Sequence, residues 1–395
     1  TIENSKTYMN TTRWLYSFLS FMLVLTGSVS LFGQANPNVE KVEKAFYLID
    51  TEQPTKGFAL LEETVKANPE DAYLLYSQGY AQLKAGQKDK ALASFEKGIT
   101  VNDKEGLNYA GKAHILLLDK KPAEAKVLID KLNITKSKNV DLLNAVAAAY
   151  LSDSKFLPDA IFLLERAKSI GPNQQTHMLL GDAHLLEHVA GLAVTSYEDA
   201  AALKKTDAKP HYEIGTIYQR SRSNDAAMES FNKAITIDPR YAPAYRELGE
   251  MYYRKKEGAK AVQAYEKYLS LIENPDANTK VKLAYFLFMA KDYARANTIF
   301  KEFASAPDVS PTTLKFYAFS LSEAGDLEQS RVVVEQFMAK AKPEDLDASD
   351  YENYAKLLTK LKQDSLATLA YEKSLEKEPN QPKLLQIVAD NHNRM

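Results

Sequence analysis

The chain has no cysteine among its 395 residues. That absence excludes disulfides, thiol nucleophiles and thiolate metal sites together, and it removes the acceptor for a lipid placed after an export signal. It suits both the cytosol and a bacterial envelope, so it selects neither compartment. A surplus of one charge is also lacking. Lys and Arg total 50 against 52 for Asp and Glu, a net of −2, so the balance gives no reason to expect nucleic acid, and no acidic block forms a tail. A glycine-rich phosphate loop and a G-x-S-x-G elbow are missing as well, which removes the sequence signs of nucleotide binding and serine hydrolysis. No cofactor and no metal are expected. Tryptophan occurs once, as Trp14.

What is present is ordinary globular composition, 45% hydrophobic and 26% charged. A chain of this length would normally divide into two or three cores. A repeat array escapes that limit because each unit packs only on its neighbours. Residues 1–35 differ from the rest. Arg13 precedes an apolar run from Leu15 to Leu25, and the small residues Gly33 and Ala35 follow. This pattern describes a secretory signal peptide over residues 1–35, cleaved after Ala35, with Met9 as an alternative start. An uncleaved membrane anchor is the competing reading, disfavoured because Ser17, Ser20, Thr26, Ser28 and Ser30 dilute the span. The Gly-Gln-Ala ending is similar to signal ends in exported proteins of Bacteroidetes-type Gram-negative bacteria. That resemblance implies a periplasmic or envelope location.

A period of 34 residues runs through the remainder. Gly181, Gly215 and Gly249 are spaced by it, and Gly79 lies three periods before Gly181. Twelve residues after each glycine stands a small residue, Ala91, Ala193, Ala227 and Ala261. Four further on stands an aromatic one, Phe95, Tyr197, Phe231 and Tyr265. Pro239 ends the most regular copy, because proline cannot donate the backbone bond that would continue a helix. Two helices of a hairpin can cross closely where Gly215 and Ala227 meet, and Phe231 fills the space towards the next hairpin. The register gives starts near 38, 72, 106, 140, 174, 208, 242, 277, 311 and 348. Weak copies depart readably: Gly57 replaces the usual alanine in the first, and Ser330 does so in the ninth. The third opens its second helix at Pro122, and the fourth carries an extra turn residue near Phe156-Leu157-Pro158.

This pattern resembles the tetratricopeptide repeat. The resemblance implies an all-α fold, a right-handed α-solenoid of about ten helix-turn-helix repeats over residues 36–381. Residues 382–395 would then form the first helix of a further or a capping repeat, with continuation of the chain preferred. End-to-end docking through that helix would allow oligomers. The resemblance also implies a non-enzymatic scaffold that binds proteins or peptides in a groove lined by first helices. Carried onto this chain, the inward positions are Lys209, Tyr212, Thr216, Gln219 and Arg220 in the sixth repeat, and Arg246, Glu250, Tyr253 and Arg254 in the seventh. The second repeat offers Tyr73, Tyr76, Tyr80, Leu83 and Lys84, and the eighth Val281, Tyr285, Phe288 and Met289. Arg220, Arg246 and Arg254 are expected to hold carboxylates of an extended or helical partner, since Arg and Tyr are favoured at binding hot spots. The chaperone-tail clamp is not expected, because Tyr212 and Thr216, then Arg246 and Glu250, replace its Lys and Asn.

One motif matches catalytic chemistry. His184-Leu185-Leu186-Glu187-His188 fits H-x-x-E-H, in which two histidines on one helix face hold zinc beside a glutamate base. The stronger reading is structural: His184 falls where sister repeats place Tyr218 and Tyr252, and His188 falls at the hairpin turn. A zinc hydrolase is therefore the remote alternative to a scaffold. An arm of a larger envelope protein is the nearer one.

Overall fold

The computed structural model describes residues 38–394. The expected signal segment, its cleavage site and Trp14 lie outside those residues. All regular structure among the described residues is helical, arranged as ten hairpins and one further helix. The hairpins are α1 (Val39–Asp50) with α2 (Pro54–Ala67), α3 (Ala72–Lys84) with α4 (Lys88–Val101), and α5 (Gly106–Leu118) with α6 (Pro122–Lys131). Next come α7 (Val140–Tyr150) with α8 (Leu157–Ile170), α9 (Gln174–Leu186) with α10 (Ala190–Leu203), and α11 (Lys209–Arg220) with α12 (Asn224–Ile237). The rest are α13 (Ala242–Arg254) with α14 (Gly258–Leu271), α15 (Ala277–Met289) with α16 (Tyr293–Ala304), α17 (Pro311–Ala324) with α18 (Leu327–Lys340), and α19 (Ala348–Lys360) with α20 (Asp364–Lys377). The helix α21 (Pro382–Arg394) follows. First helices begin within one residue of the starts given by the 34-residue period. The fold is a solenoid of helical repeats.

Aromatic wedges hold the hairpins. Phe95, Phe231 and Phe300 are fully buried, as are Tyr197 and Tyr265. A Cβ added at Gly79 would stand 2.6 Å from the Phe95 ring, and one at Gly111 on the following hairpin 2.5 Å from the same ring. Phe95 thus seats on two glycines at once, which brings three helices within reach of one side chain. Gly181 against Tyr197 (2.4 Å) and Gly215 against Phe231 (2.5 Å) repeat the arrangement. The small partners Ala91, Ala193, Ala227 and Ala261 are each 0% exposed. Burying such an aromatic ring contributes about 2–3 kcal/mol.

The turn inside each hairpin is equally repetitive. Glu52, Gly86, Lys120, His188, Arg222, Lys256, Lys291, Gly325 and Lys362 all have positive φ, between 60° and 89°. In each case the next residue's N–H bonds five residues back, as Ser223 does to the Tyr218 carbonyl at 2.9 Å. That is the Schellman closure, which satisfies carbonyls left open at a helix end. The fourth hairpin differs, passing through the short 3-10 turn Ser154–Phe156, in the place where the sequence showed an extra residue.

The chain forms two compact units. One runs through Glu247 and includes Ser270–Glu273; the other comprises Leu248–Leu269 and the residues from Asn274 onward. In the first unit one apolar cluster runs from Val42, Ala45 and Phe46 to Leu179, Leu180 and Ala183. In the second, Ala355, Leu358, Ala367 and Tyr371 pack with Leu384 of α21, while Leu385 and Ile387 of that helix remain exposed. No helix among the described residues is long and apolar enough to cross a membrane.

Candidate binding surfaces

In the first unit the hairpins curve until the first meets the sixth and seventh. Asp50, at the end of α1, lies between two lysines. Its carboxylate accepts from Lys84 Nζ at 2.9 Å and from Lys209 Nζ at 2.8 Å. Burial alone would raise the Asp50 carboxyl, but Lys209 and then Lys84 outweigh it and hold the group at about 2. Burial lowers Lys84, whereas for Lys209 the attraction of Asp50 overcomes burial and raises it. Asp182 stands near the same lysines. It accepts from Tyr197 Oη at 2.6 Å, and burial first, with Glu213 second, pushes its carboxyl well above the usual range.

Two residues beyond Asp50, Glu52 pairs with Arg246 of α13. That guanidinium is held in place on its other sides. Its Nε donates to Glu247 at 3.2 Å, its Nη2 to Tyr212 Oη at 3.4 Å, and Glu247 accepts from Gln219 Nε2 at 3.0 Å. A left-handed φ of 63° at Glu52 lies within this contact. Glu273 completes the junction: its N–H donates to the Glu52 carbonyl at 3.2 Å, and its carboxylate accepts from the Thr55 N–H at 2.9 Å. Gln53, the residue before α2, makes no side-chain cap, so a carboxylate 218 residues away caps that helix. Tyr47 Oη donates to Asp238 at 2.9 Å, and Arg240 lies over the Tyr47 ring.

The inward positions named from the repeat pattern therefore sort into groups. Lys209, Tyr212, Gln219 and Arg246 come together, and the carboxylates they meet are the chain's own. Lys209 is 5% exposed, so it presents no free ammonium in this state. Tyr76 and Tyr80 are 2% exposed: Tyr76 packs against Phe95 of α4 and Tyr80 against Phe46 of α1, as core and not as an open surface. Tyr73 is half-buried, while Arg220 and Arg254 are exposed. Sequence reasoning missed Asp50, Glu52, Glu247 and Glu273. Glu247 adjoins Arg246 and could have been found; the others gave no local signal.

The second unit is different. Tyr253, Tyr285 and Phe288, with Phe316 of α17, are all half-buried on successive first helices. Tyr253 stacks on Phe286 at 4.8 Å; Phe316 meets Tyr285 at 4.9 Å and Phe288 at 5.4 Å, both edge to face. Tyr285 Oη shares a hydrogen bond with Thr313 Oγ1 at 3.0 Å, which fixes the ring. Beside these rings Lys282 pairs with Glu250 at 2.7 Å, and Lys315 pairs with the buried Asp350. The rings are rigid, partly wet and flanked by charge.

The H-x-x-E-H motif does not form its helical geometry. α9 ends at Leu186, and His188 has a φ of 62° in the turn. Helical i, i+4 spacing is thereby broken, and the two imidazoles do not share a helix face. His184 Nδ1 instead lies 3.1 Å from Glu187 Oε2. Among the described residues no group of three His, Cys, Asp or Glu is placed to hold a metal ion.

Fold and surfaces together define a helical-repeat module with the features of a protein-interaction scaffold. The repeats belong to a known kind. A family model described as tetratricopeptide repeat matches residues 44–103 and 212–278, which identifies repeats of the tetratricopeptide type in those two stretches. A mouse relative, tetratricopeptide repeat protein 21A, is 26% identical over 196 residues, which is 43% of this chain and 15% of that protein. Among solved structures, the C-terminal part of a repeat protein from Cytophaga hutchinsonii aligns with TM-score 0.46 and 16% identity, covering 62% of this chain and 99% of that one. A tetratricopeptide repeat protein from Parabacteroides merdae aligns at 0.39 and 17%, covering 65% and 100%. Pseudomonas aeruginosa pilF aligns at 0.39 and 20%, covering 50% and 89%.

Proposed function

We propose that the chain is a non-enzymatic scaffold that binds a helical or extended segment of another protein on the aromatic ledge of its second unit. The observation that carries this reading is the partial exposure of Tyr253, Tyr285, Phe288 and Phe316 on consecutive first helices, where four rings offer apolar area with little side-chain entropy left to lose. Arg254, exposed on α13, adds a cation for an acidic residue of the partner. Envelope residence is part of the proposal. It rests on the signal-like sequence of residues 1–35, and predicts that protein recovered from its host begins at Asn36. The reading as an arm of a longer envelope protein draws on the exposed Leu385 and Ile387 of α21, and the length of the gene tests it.

The test is capture from the host's envelope fraction by the full chain and by the variant Phe288→Lys with Phe316→Lys. Retained helix content by circular dichroism with loss of the captured protein supports the ledge. Equal capture by both chains sinks it.

A further inference from the structure

The contacts that close the first unit resemble the recognition of a ligand. Along the solenoid, neighbouring hairpins share buried apolar clusters, as Val42, Ala45 and Phe46 do with Leu74, Leu75 and Tyr80. Where the first hairpin reaches the sixth and seventh, the contacts include a set of ionic and polar pairs: Asp50 with Lys209, Glu52 with Arg246, Tyr47 with Asp238, and Glu273 with Thr55 and Lys56. The receiving side is built as a carboxylate receptor. Glu247, itself held by Gln219, and Tyr212 orient Arg246 towards its guest, and Lys84 and Lys209 stand ready for a second carboxylate. A guanidinium steered from two sides is the arrangement used to grip a carboxylate directionally. The guest is a short acidic turn, Asp50-Thr51-Glu52, at the tip of a hairpin.

Resting on the reading of the chain as a protein-binding scaffold, we propose that this turn is an internal ligand, and that Lys84, Lys209 and Arg246 form a docking surface for a partner segment carrying two carboxylates one residue apart. The first hairpin and the partner compete. While the hairpin is seated the surface is filled; an acidic segment that takes its place swings the hairpin out. Polar junctions of this type separate more readily than apolar ones, and the partner supplies the charges that keep the lysines and Arg246 neutralised during the exchange. A ligand shifts such an equilibrium only by its preference for the open state, so the native chain binds the acidic segment more weakly than a chain whose latch is disabled.

The absence of native cysteine makes the test direct. Glu62→Cys on α2 and Lys233→Cys on α12 are exposed positions that accept spin labels in the full chain. The expected result is a short, narrow distance distribution in the labelled native chain, and a longer, broader one after Asp50→Asn with Glu52→Gln. The probe is a peptide copying residues 47–56. It should bind the latch-disabled chain roughly tenfold or more tightly than the native chain. A control peptide with Asn and Gln at the two acidic positions should not bind, and adding Arg246→Gln should abolish binding. An unchanged distance, equal affinities, or equal binding of the control peptide overturns the proposal. Should the double variant lose helix content, the labelled native chain decides: excess acidic peptide lengthens its distance, or the proposal fails. Equal capture by the ledge variant and the native chain, with an intact latch response, would overturn the ledge alone.

Discussion

At the scale of single residues, the glycines under the wedges differ in a way that separates two opposing effects. A Cβ at Gly215 would meet the buried Phe231 ring at 2.5 Å, whereas one at Gly249 would stand 3.2 Å from Tyr265. Replacing a helical glycine by alanine gains about 1 kcal/mol of propensity, while forcing atoms into a filled core costs about 1–3 kcal/mol. Gly215→Ala should therefore lower stability by about 1 kcal/mol in urea unfolding, and Gly249→Ala should leave it level or slightly raised. Asp141 offers a second test. Burial first, with Glu105 adding to it, raises its carboxyl from 3.8 to about 6. A raised folded value means that the group's contribution is complete below about pH 4 and is lost as pH rises through 6. Asp141→Asn should flatten that decline and raise stability at pH 7 by about 1 kcal/mol, with no gain at pH 4. Asp50 has the opposite sign: its carboxyl is held at about 2, so its contribution is complete above about pH 4 and is lost as pH falls towards 2.

At the scale of elements, the helices and their order were legible in the sequence because each hairpin obeys local rules. Gly79, Ala91 and Phe95 recur at spacings fixed by one helix crossing and one wedge, so a period found in residues becomes a period in space. The turn was less legible. Its position requires a left-handed residue, yet the sequence places Lys, Arg, His or Glu there more often than glycine, so the usual glycine sign is missing. The same turn defeats the H-x-x-E-H reading: the helix ends at Leu186 and His188 stands in the hairpin turn, where the sequence already placed it. Left-handed backbone costs a non-glycine residue about 1 kcal/mol. Arg222, exposed at a φ of 61°, should therefore tolerate glycine, and Arg222→Gly should raise the melting temperature through a gain of about 0.5–1 kcal/mol. Gly325→Ala, at a φ of 89°, should lose a similar amount. A lower melting temperature for Arg222→Gly would show that the arginine side chain, not the backbone, matters there.

At the scale of the whole molecule, a solenoid held only by nearest neighbours should respond to change locally, because stability is a sum over adjacent units. The inward positions were legible as a list, since Lys209, Tyr212, Gln219 and Arg246 follow from their place in the repeat. Their occupant was not, since Asp50 and Lys209 lie 159 residues apart and no local pattern marks the pairing. That long-range pair gives the first unit a coupling that a linear array lacks. Asp50→Leu removes the carboxylate between two lysines whose side chains are 14% and 7% exposed, and leaving a buried charge without its partner costs about 3–5 kcal/mol. In a linear array the damage would stay in the first two hairpins. With the first unit closed upon itself, amide exchange should also quicken in α11 and at the start of α13, while α17 to α20, in the other compact unit, keep their protection. Hydrogen-exchange mass spectrometry of the full chain reads both regions at once, and faster exchange confined to α1–α4 would show that the ionic junction carries no coupling.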